Sequence, residues 1–491
     1  MRSIFSQPKE DVVAGVVVFL VALPLCLGLA IACGVSPVSG LVAGIVGGLV
    51  VPLVSKAPLS VTGPAAGLTS IVLLEVERLG SVDKFLGAVV AAGVLQLLLG
   101  LVRAGRFATL VPSAVIQGML AAIGITIVLK QLPVAAGVKG SMMDIPANLH
   151  VGATVLTGVS LVILYGWKHT PLARLKLVPP ALVAVGVATG LALVFQNISV
   201  LALTDAHYVR VPLGGASGLV AALPRPDFSV LTTSLGWVAA LTIALVASIE
   251  TLLSLQAVDR LDPLKRQSPP DRELVAQGLG NLVSGLGGGL PITSVIVRSG
   301  ANVAAGGRDR LATMVHGLLL LLAVLLGAAL LNKIPLACLA AVLLQVGLNL
   351  AKPSSFASQK RLGASQFVPF LVTIGLVLAL DLLKGVVLGV VVGVGFALRQ
   401  VADGAVSRTT EDDGTNRVTF HRDGTFLVKP ALVSELAAIP DGSRVVLDGT
   451  GEHLDHDVKE TLATFLADAP ARQLVVELVG IDLKGATVAA H

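Results

Sequence analysis

Two stretches interrupted by glycine and proline contain the residues of this chain best suited to chemistry. Residues 60–67 read Ser-Val-Thr-Gly-Pro-Ala-Ala-Gly, and residues 287–299 read Gly-Gly-Gly-Leu-Pro-Ile-Thr-Ser-Val-Ile-Val-Arg-Ser. Each stretch begins with helix-breaking residues and continues as an apolar run that is too short to cross a bilayer comfortably. Non-helical backbone at membrane depth is tolerated only inside protein or beside a water-filled cavity. The two breaks therefore predict a substrate site between them.

The chemistry expected at this site is the binding of an anion. Two helices that begin near the middle of the membrane offer free backbone N–H groups and the positive ends of their dipoles. Small side chains let a substrate approach the backbone, and hydroxyl groups add donors. The candidate substrate-binding residues are Thr62, Gly63, Ala65, Ala66, Gly67, Thr293, Ser294 and Val295. The alternative is that these small residues only allow close helix packing.

Arg298 is a candidate for the positive charge at the site, because it stands four residues after Ser294. A cation inside a membrane is costly unless it faces a cavity or a partner. We therefore expect Arg298 to bind or attract the anion. The alternative is that its side chain extends from a short helix to the membrane surface.

Glu250 is the only charged residue between residues 241 and 255, and Ser254 follows one helical turn later. Intramembrane carboxyl groups are functional by default, and burial favours the neutral acid. An acid that takes up and releases a proton would couple proton movement to anion movement. We therefore assign the coupling ion to Glu250 and Ser254. The alternative is a neutral Glu250 that only bonds a neighbouring helix.

Composition indicates a membrane protein with a small polar tail. Of the 491 residues, 54% are hydrophobic and 13% charged, and the mean hydropathy is +0.89. These values are typical of a multi-pass membrane protein. Charged residues become frequent after about residue 405, so we expect a transmembrane transport domain over residues 1–404 and a tail domain over residues 405–491. The net charge of +5 implies no nucleic-acid partner, because most Lys and Arg fall in alternate loops.

Fourteen apolar runs are candidates for membrane spans. They cover residues 12–33, 37–54, 64–79, 85–102, 108–131, 151–167, 180–196, 235–258, 272–287, 294–305, 311–331, 335–350, 366–383 and 385–400. Seven spans in each half, with a broken third span in both, predict an inverted repeat. Fourteen spans without repeat symmetry remain the alternative. The loops rich in Lys and Arg predict that both termini and the tail are cytoplasmic.

Reactive side chains in this sequence do not predict an enzyme. Cys26, Cys33 and Cys338 stand in apolar surroundings and are expected to pack as small hydrophobic residues. The sequence shows no Cys/His/Asp cluster, nucleophile elbow or phosphate loop. We therefore expect no catalytic residue, no metal and no cofactor apart from a coupling H⁺ or Na⁺.

The tail shows the pattern of a small α/β domain. Short runs at residues 417–421, 426–429, 444–448 and 473–479 predict strands, and an amphipathic segment at residues 457–467 predicts a helix. Strands that alternate with a helix favour a compact unit with its own core.

Several motifs occur in a fixed order along the chain: Ala22-Leu23-Pro24, Val61-Thr62-Gly63-Pro64, Ala247-Ser248-Ile249-Glu250-Thr251-Leu252-Leu253, Asn281 through Gly289, Leu290-Pro291-Ile292-Thr293-Ser294, and Arg298-Ser299. With these motifs the chain resembles the SulP anion permeases, the solute-carrier family that includes pendrin and prestin. The resemblance covers nearly the whole chain. It implies an all-α polytopic membrane protein with fourteen spans, in which a core domain (spans 1–4 and 8–11) moves against a gate domain (spans 5–7 and 12–14). The anion would then lie between the third and tenth spans.

The tail resembles the cytoplasmic STAS domain of the same family, in a shortened form. The usual Asp-Ser-Ser/Thr-Gly loop reads Leu454-Asp455-His456-Asp457 here, which argues against regulation by phosphorylation. The resemblance implies that the domain supports a homodimer.

The substrate is assigned from the resemblance alone. Residues 292–299 and 454–458 are similar to a bacterial branch often associated with carbonic anhydrase, which implies bicarbonate and a place in the inner membrane of a bacterium. Sulfate and small dicarboxylates are the alternatives. Leu25 replaces a frequent Gln, and Thr293-Ser294-Val295 replaces a frequent Ser-Gly-Ser; both differences favour a small anion.

The mode of transport stays open between several hypotheses. Family members that use sodium carry Asp at the position of Glu250, so the coupling ion is H⁺ or Na⁺. An uncoupled channel or exchanger, or a voltage-responsive motor protein, has the same fold. A nucleobase permease of the same architecture is disfavoured by Arg298 and by the tail.

Overall fold

The computed structural model describes residues 8–106, 112–138, 140–171, 178–212, 215–380, 382–402 and 404–483. The chain divides into two compact units. The first contains residues 1–361 and 370–389, and the second contains residues 362–369 and 390–491. The domain boundary predicted at residue 404 and the grouping into core and gate stay predictions.

The first unit is built mainly of helices. Along the first half of the chain they are α1 (Pro8–Ala32), α2 (Pro37–Leu49), α3 (Val51–Val54), α4 (Thr69–Leu79), α5 (Val82–Leu101), α6 (Ser113–Ala135), α7 (Ile145–Asn148), α8 (Val151–Gly166), α9 (Pro180–Phe195) and α10 (Gly215–Ala222). Proline opens several of them because its fixed φ suits the first turn, where its missing N–H is not needed.

The second half continues with α11 (Ser234–Leu261), α12 (Pro270–Leu286), α13 (Ile296–Ala304), α14 (Leu311–Leu326), α15 (Ala328–Leu331), α16 (Leu336–Leu350), α17 (Pro353–Arg361), α18 (Ala364–Ala379) and α19 (Leu382–Ala402). Helix α11 begins where the Thr233 side chain accepts a hydrogen bond from the Gly236 N–H at 3.1 Å, which is an N-cap. Residues of α18 and α19 belong to both units.

Six helices in the described ranges are long and apolar enough to cross a membrane. They are Pro8–Ala32, Pro37–Val54, Val82–Leu101, Ser113–Ala135, Ser234–Leu261 and Leu336–Arg361. A seventh is added if the segments 142–148 and 151–166, which meet at 118°, are counted as one span. Each of the fourteen predicted intervals contains a helix. The number of membrane crossings stays a prediction.

The two broken spans are confirmed as short helices that follow extended backbone. Helix α4 has 11 residues and α13 has 9. Strand β1 (Thr62–Pro64) precedes the first of them, and strand β2 (Ile292–Ser294) precedes the second. These strands pair with each other. The membrane unit is therefore not wholly helical, which differs from the all-α class predicted from the sequence.

The second unit contains a four-stranded sheet with its own core. Its strands are β3 (Val406–Thr410), β4 (Asn416–Phe420), β5 (Arg444–Asp448) and β6 (Val475–Val479), in that order. Strands β3 and β4 are antiparallel, and the other neighbours are parallel. Helices α20 (Lys429–Ala437) and α21 (His456–Asp468) supply apolar residues to the core.

The predicted tail helix and three of the four predicted strands are confirmed, and one is wrong. Residues 426–428 form a 3-10 turn that leads into α20. Pro430 explains the difference, because proline at the start of a helix is favourable whereas inside a sheet it removes a donor. Strand β3 was not predicted, since its sequence Val-Ser-Arg-Thr-Thr lacks a clear apolar alternation.

Candidate functional site

The two breaks meet in a short antiparallel ladder. Thr62 pairs with Ser294, Gly63 with Thr293, and Pro64 with Ile292. The ladder is extended by the Val295 N–H, which donates to the Val61 carbonyl at 2.9 Å. Residues far apart in sequence are therefore held side by side, and the two helices that follow leave the ladder at its opposite ends.

Each of these short helices presents its N-terminus next to the ladder. In α13 the first backbone bond within the helix runs from the Ser299 N–H to the Val295 carbonyl, at 3.0 Å. The preceding N–H groups of Ile296, Val297 and Arg298 have no acceptor one turn back in their own helix. Val295 is partly exposed, and Ile296 is 40% exposed. This end of α13 is therefore only partly covered by the rest of the protein.

The first short helix begins in the same way. A 3-10 turn at Ala66–Leu68 leads into α4. Ala65 and Gly67 are buried, whereas Ala66 is partly exposed. Ala66 also lines a cavity of about 140 Å³, together with Thr69 of α4 and Thr126 of α6. A small anion in this space would face the N-terminal end of α4.

The three predicted hydroxyl donors are directed into the protein. The Ser294 hydroxyl lies 2.6 Å from that of Ser60, and the Thr293 hydroxyl donates to the Ser294 carbonyl at 3.2 Å. The Thr62 hydroxyl accepts from Gln277 at 2.7 Å. At most 2% of each of these residues is exposed. Direct contact of their side chains with the anion stays a prediction, and the backbone groups of the ladder ends are better placed.

Arg298 lies behind the first strand and is completely buried. Its Nη2 donates to the Pro64 carbonyl at 3.2 Å. A side chain on Gly63 would place a Cβ atom 2.0 Å from Nη1, so the guanidinium packs against the Gly63 backbone. In the described part of the chain neither Nε nor Nη1 has a hydrogen-bond partner. The structure therefore disfavours extension of this side chain to the membrane surface.

Glu250 lies at the N-terminal end of the first short helix. A Cβ atom on Gly67 would be 2.6 Å from both carboxyl oxygens, and the Gly67 N–H is within bonding reach of the carboxyl group. The Glu250 Oε2 atom is buried and has no hydrogen-bond partner within the described ranges. The carboxyl group thus stands where the helix dipole favours negative charge.

The second residue predicted for the coupling ion follows Glu250 on the same helix. Ser254 is 3% exposed and lies one turn along α11 from Glu250. The contact between α11 and the ladder is made by Thr251, whose hydroxyl accepts a hydrogen bond from the Ser294 N–H at 3.3 Å. The structure brings Glu250 to the predicted anion site, while the role of Ser254 stays a prediction.

Several polar residues that hold the ladder were not predicted as site residues. Gln277 and Asn281 of α12 bond one strand each, and Ser299 accepts from the Val61 N–H at 2.9 Å. One sequence signal could have found the first two. In an otherwise apolar region, α12 carries polar residues at helical spacing: Glu273, Gln277, Asn281 and Ser284.

Two broken helices whose breaks pair with each other inside a bundle of apolar helices are typical of secondary transporters. The sequence model of the sulfate permease family matches residues 9–373. The chain therefore belongs to the sulfate permease family and is an anion transporter of the membrane.

Two relatives and one solved structure illustrate this membership. The chain is 30% identical to "Putative sulfate transporter YvdB" of Bacillus subtilis over 410 residues, which cover 80% of this chain and 74% of the relative. It is 26% identical to the bicarbonate transporter BicA of Picosynechococcus over 517 residues, covering 97% and 89% of the two chains. Its fold is similar to the murine Slc26a9 anion transporter in the inward-facing state, with a TM-score of 0.76, 18% identity and coverage of 96% and 86%.

Proposed function

We propose that this chain is a secondary active transporter of bicarbonate, driven by a proton or sodium gradient. The observation that carries the proposal is the pairing of β1 with β2, which holds the starts of α4 and α13 at the two ends of one short ladder. An anion held there is stabilised by backbone N–H groups and by two helix dipoles. The buried charge of Arg298 lies behind the same ladder.

The geometry favours a small anion that needs few hydrogen bonds. The hydroxyl groups of Thr62, Thr293 and Ser294 already have partners inside the protein. The remaining donors are mainly backbone N–H groups at the two helix starts. Bicarbonate, which is planar and carries one charge, suits such a site better than sulfate, whose four oxygens attract more donors. The name of the relative BicA supports the same choice.

Coupling would arise because Glu250 and the anion compete for one place. Both are attracted to the N-terminal end of α4, where Gly67 meets the carboxyl group. Two negative charges that share this end of the helix repel each other. A proton or a sodium ion at Glu250 removes the repulsion, so cation and anion bind together. Ser254, one turn away, would supply a further oxygen for the cation.

The remaining features of the proposal concern movement and assembly. A core domain that carries both short helices would move against the gate domain in an elevator-like cycle. The chain would act as a homodimer in the inner membrane of a bacterium, with fourteen spans, both termini in the cytoplasm and a shortened STAS-like tail over residues 405–491. The alternating distribution of Lys and Arg supports this orientation.

Sulfate is the principal alternative substrate. The name of YvdB, the relative that is 30% identical, favours it, as does a buried arginine beside the site. A small dicarboxylate is a further alternative. An uncoupled channel or exchanger of the same fold would move bicarbonate without accumulating it.

Uptake into proteoliposomes tests these choices. The purified full chain is reconstituted, and the entry of labelled bicarbonate, sulfate and succinate is measured with sodium and proton gradients imposed separately. We expect bicarbonate to accumulate under one of the gradients and to equilibrate without it. Liposomes without protein correct for diffusion of CO₂.

Three results would contradict the proposal in distinct ways. Accumulation of sulfate or succinate, but not of bicarbonate, would show that the substrate is one of those anions. Entry of bicarbonate that never exceeds equilibrium under either gradient indicates a channel or exchanger. Absence of transport of all three anions, in protein that is folded, removes the proposed function.

A further inference from the structure

One face of α12 carries a line of buried polar side chains that the proposed transport cycle does not use directly. Glu273, Gln277, Asn281 and Ser284 succeed one another at intervals of three or four residues, and at most 1% of each is exposed. Polar groups buried inside a membrane protein are unfavourable unless they are hydrogen-bonded. The partners of this line therefore show what α12 holds.

Asn281 binds the second strand by both atoms of its amide group. Its Oδ1 accepts from the Ile292 N–H at 2.6 Å, and its Nδ2 donates to the Ile292 carbonyl at 3.0 Å. The side chain thus makes the two bonds that a neighbouring β-strand would make to one residue. Ile292 stands opposite Pro64 in the ladder, but its N–H and carbonyl face away from the first strand, toward α12. Asn281 therefore satisfies the outer edge of the second strand.

Gln277 binds the first strand from the adjacent turn of the same helix. Its Nε2 donates to the Thr62 hydroxyl at 2.7 Å and to Glu273 Oε1 at 2.9 Å. The other carboxyl oxygen of Glu273 accepts from the Ser55 hydroxyl. The orientation of Gln277 is therefore fixed from the side opposite to the strand.

The spacing of the two amides matches the spacing of the two strands. Residues four apart in an α-helix are separated by about 6 Å along its axis, and paired strands lie about 4.8 Å apart. One rigid helix can therefore hold both strands through consecutive turns. Gly280 lies between the two amides and leaves room for the second strand to approach, because a Cβ atom at position 280 would be 2.6 Å from the Ile292 side chain.

A third amide connects this arrangement to the helix that carries Glu250. Asn281 Nδ2 also donates to Gln96 Oε1 at 2.6 Å, and Gln96 Nε2 donates to the Ser248 hydroxyl at 3.2 Å. Ser248 is two residues before Glu250 on α11. The strand, α12, α5 and α11 are thus joined by one chain of side-chain hydrogen bonds.

We propose that Gln277 and Asn281 are positioning residues, which set the separation of the two short helices and so the size of the anion site. Gln96 extends the same control to Glu250. This inference rests on the proposed binding of an anion between α4 and α13. A substitution of either amide would alter the site by moving the strands, because neither side chain contacts the substrate.

The test compares Asn281→Ala and the isosteric Asn281→Asp with the wild type and with Ser284→Ala. The control residue lies on the same helix, and its hydroxyl donates to the Leu290 carbonyl, outside the paired strands. We expect both Asn281 variants to raise the KM for labelled bicarbonate or sulfate by about tenfold or more, with Vmax within about twofold. Ser284→Ala is expected to leave KM within about twofold.

A double variant tests whether the two amides act on one geometry. Gln277→Leu removes the donor to Thr62 and retains much of the side-chain volume. Because both residues set the same strand spacing, Gln277→Leu combined with Asn281→Ala is expected to raise KM by less than the product of the single effects. Independent, multiplicative effects would contradict a shared spacing.

A second measurement does not depend on transport. Hydrogen–deuterium exchange is followed in the peptide that contains Ile292, and faster exchange is expected in Asn281→Ala but not in Ser284→Ala. Unchanged exchange at Ile292 in Asn281→Ala overturns the positioning role, and so does an Asn281 variant with a lower Vmax and less folded protein at unchanged KM. If the wild type transports none of the tested anions, the proposed function fails. The exchange measurement still tests the contact between Asn281 and Ile292, because it does not depend on transport.

Discussion

Gly63 and Arg298 pack together, which brings a positive charge against the backbone of a predicted binding residue. The guanidinium occupies the space where a side chain at position 63 would begin, so its positive charge lies one strand away from the site. A charge in a region of low dielectric acts over several ångströms. Arg298 can therefore attract an anion through the strand without being exposed to it.

We predict that Gly63→Ala weakens anion binding without unfolding the protein. The new Cβ atom would meet the end of a flexible side chain at 2.0 Å, so the guanidinium would move and its charge would leave the site. We expect the apparent affinity to fall by about tenfold, or about 1.4 kcal/mol. Anion-dependent thermal stabilisation of the purified variant measures this.

Gly300→Ala is the matched control for this change, because a Cβ atom at Gly300 meets nothing within 4 Å. It adds the same methyl group on α13 and is expected to bind the anion like the wild type. Equal affinities of the two variants would show that the position of the guanidinium does not matter.

Glu250 is the second residue whose role can be isolated. We predict that Glu250→Gln abolishes accumulation driven by a gradient, because the amide cannot release a proton, yet retains exchange of the anion. Gln also lacks the negative charge that competes at the N-terminus of α4, so anion affinity is expected to be equal to or higher than that of the wild type. Counterflow and gradient-driven uptake in the same proteoliposomes separate the two activities.

Glu10→Gln removes an exposed carboxyl group at the start of α1 and should leave both activities unchanged. A Glu250→Gln protein that accumulates the anion at the wild-type rate would assign coupling to another residue and leave Glu250 a structural role.

At the scale of elements, the proposed site consists of the starts of α4 and α13, and a cavity lies beside the start of α4. Ala66 is the residue of the first break that is both partly exposed and part of the cavity wall. Ala65 and Ser294 are buried, so bulky residues there would disturb the core as well as the site.

We predict that Ala66→Phe blocks transport while the protein still folds. The ring would extend into a cavity of about 140 Å³, which is large enough to hold it without displacing the core. Uptake should fall by at least about tenfold, whereas Ala66→Ser should retain most of it. Normal uptake by Ala66→Phe, with an unchanged melting temperature, would show that the anion does not pass along this cavity.

At the scale of the whole molecule, the tail has a core of its own. Val418 and Val445 of the sheet pack with Leu432 of α20 and Leu462 of α21. All the proposed site residues precede residue 300. Binding and assembly can therefore be separated by truncation.

We predict that deletion of residues 405–491 weakens the proposed homodimer and leaves measurable transport. The dissociation constant in detergent should rise by about tenfold or more if the tail supplies part of the interface. Light scattering after size-exclusion chromatography gives the oligomeric state, and uptake gives the activity. A truncated chain that stays fully dimeric would place the interface elsewhere, and a chain without any uptake would give the tail a part in transport.

The sequence predicted those features that local chemistry decides. Gly-Pro and Gly-Leu-Pro breaks cannot continue a helix, so the short α4 and α13 and the interruptions before them follow from these residues. Glu250 is recognised as a functional candidate because it is the single carboxyl group in an apolar run, where burial of a carboxyl group is costly. The confirmed tail strands and α21 follow from apolar alternation and helical spacing in the same way.

Only the tertiary structure decided how these pieces meet. The pairing of Thr62 with Ser294 joins segments more than two hundred residues apart, and no local pattern encodes its register. The direction of Arg298 depends on the space left by Gly63, and the separation of the two strands depends on amides of α12. The sequence by itself determined where the helices break and which charged residues stand within apolar runs, because those follow from neighbouring residues. The arrangement of the breaks into one site was decided by packing, since hydrogen bonds between distant elements exist only once the chain has folded.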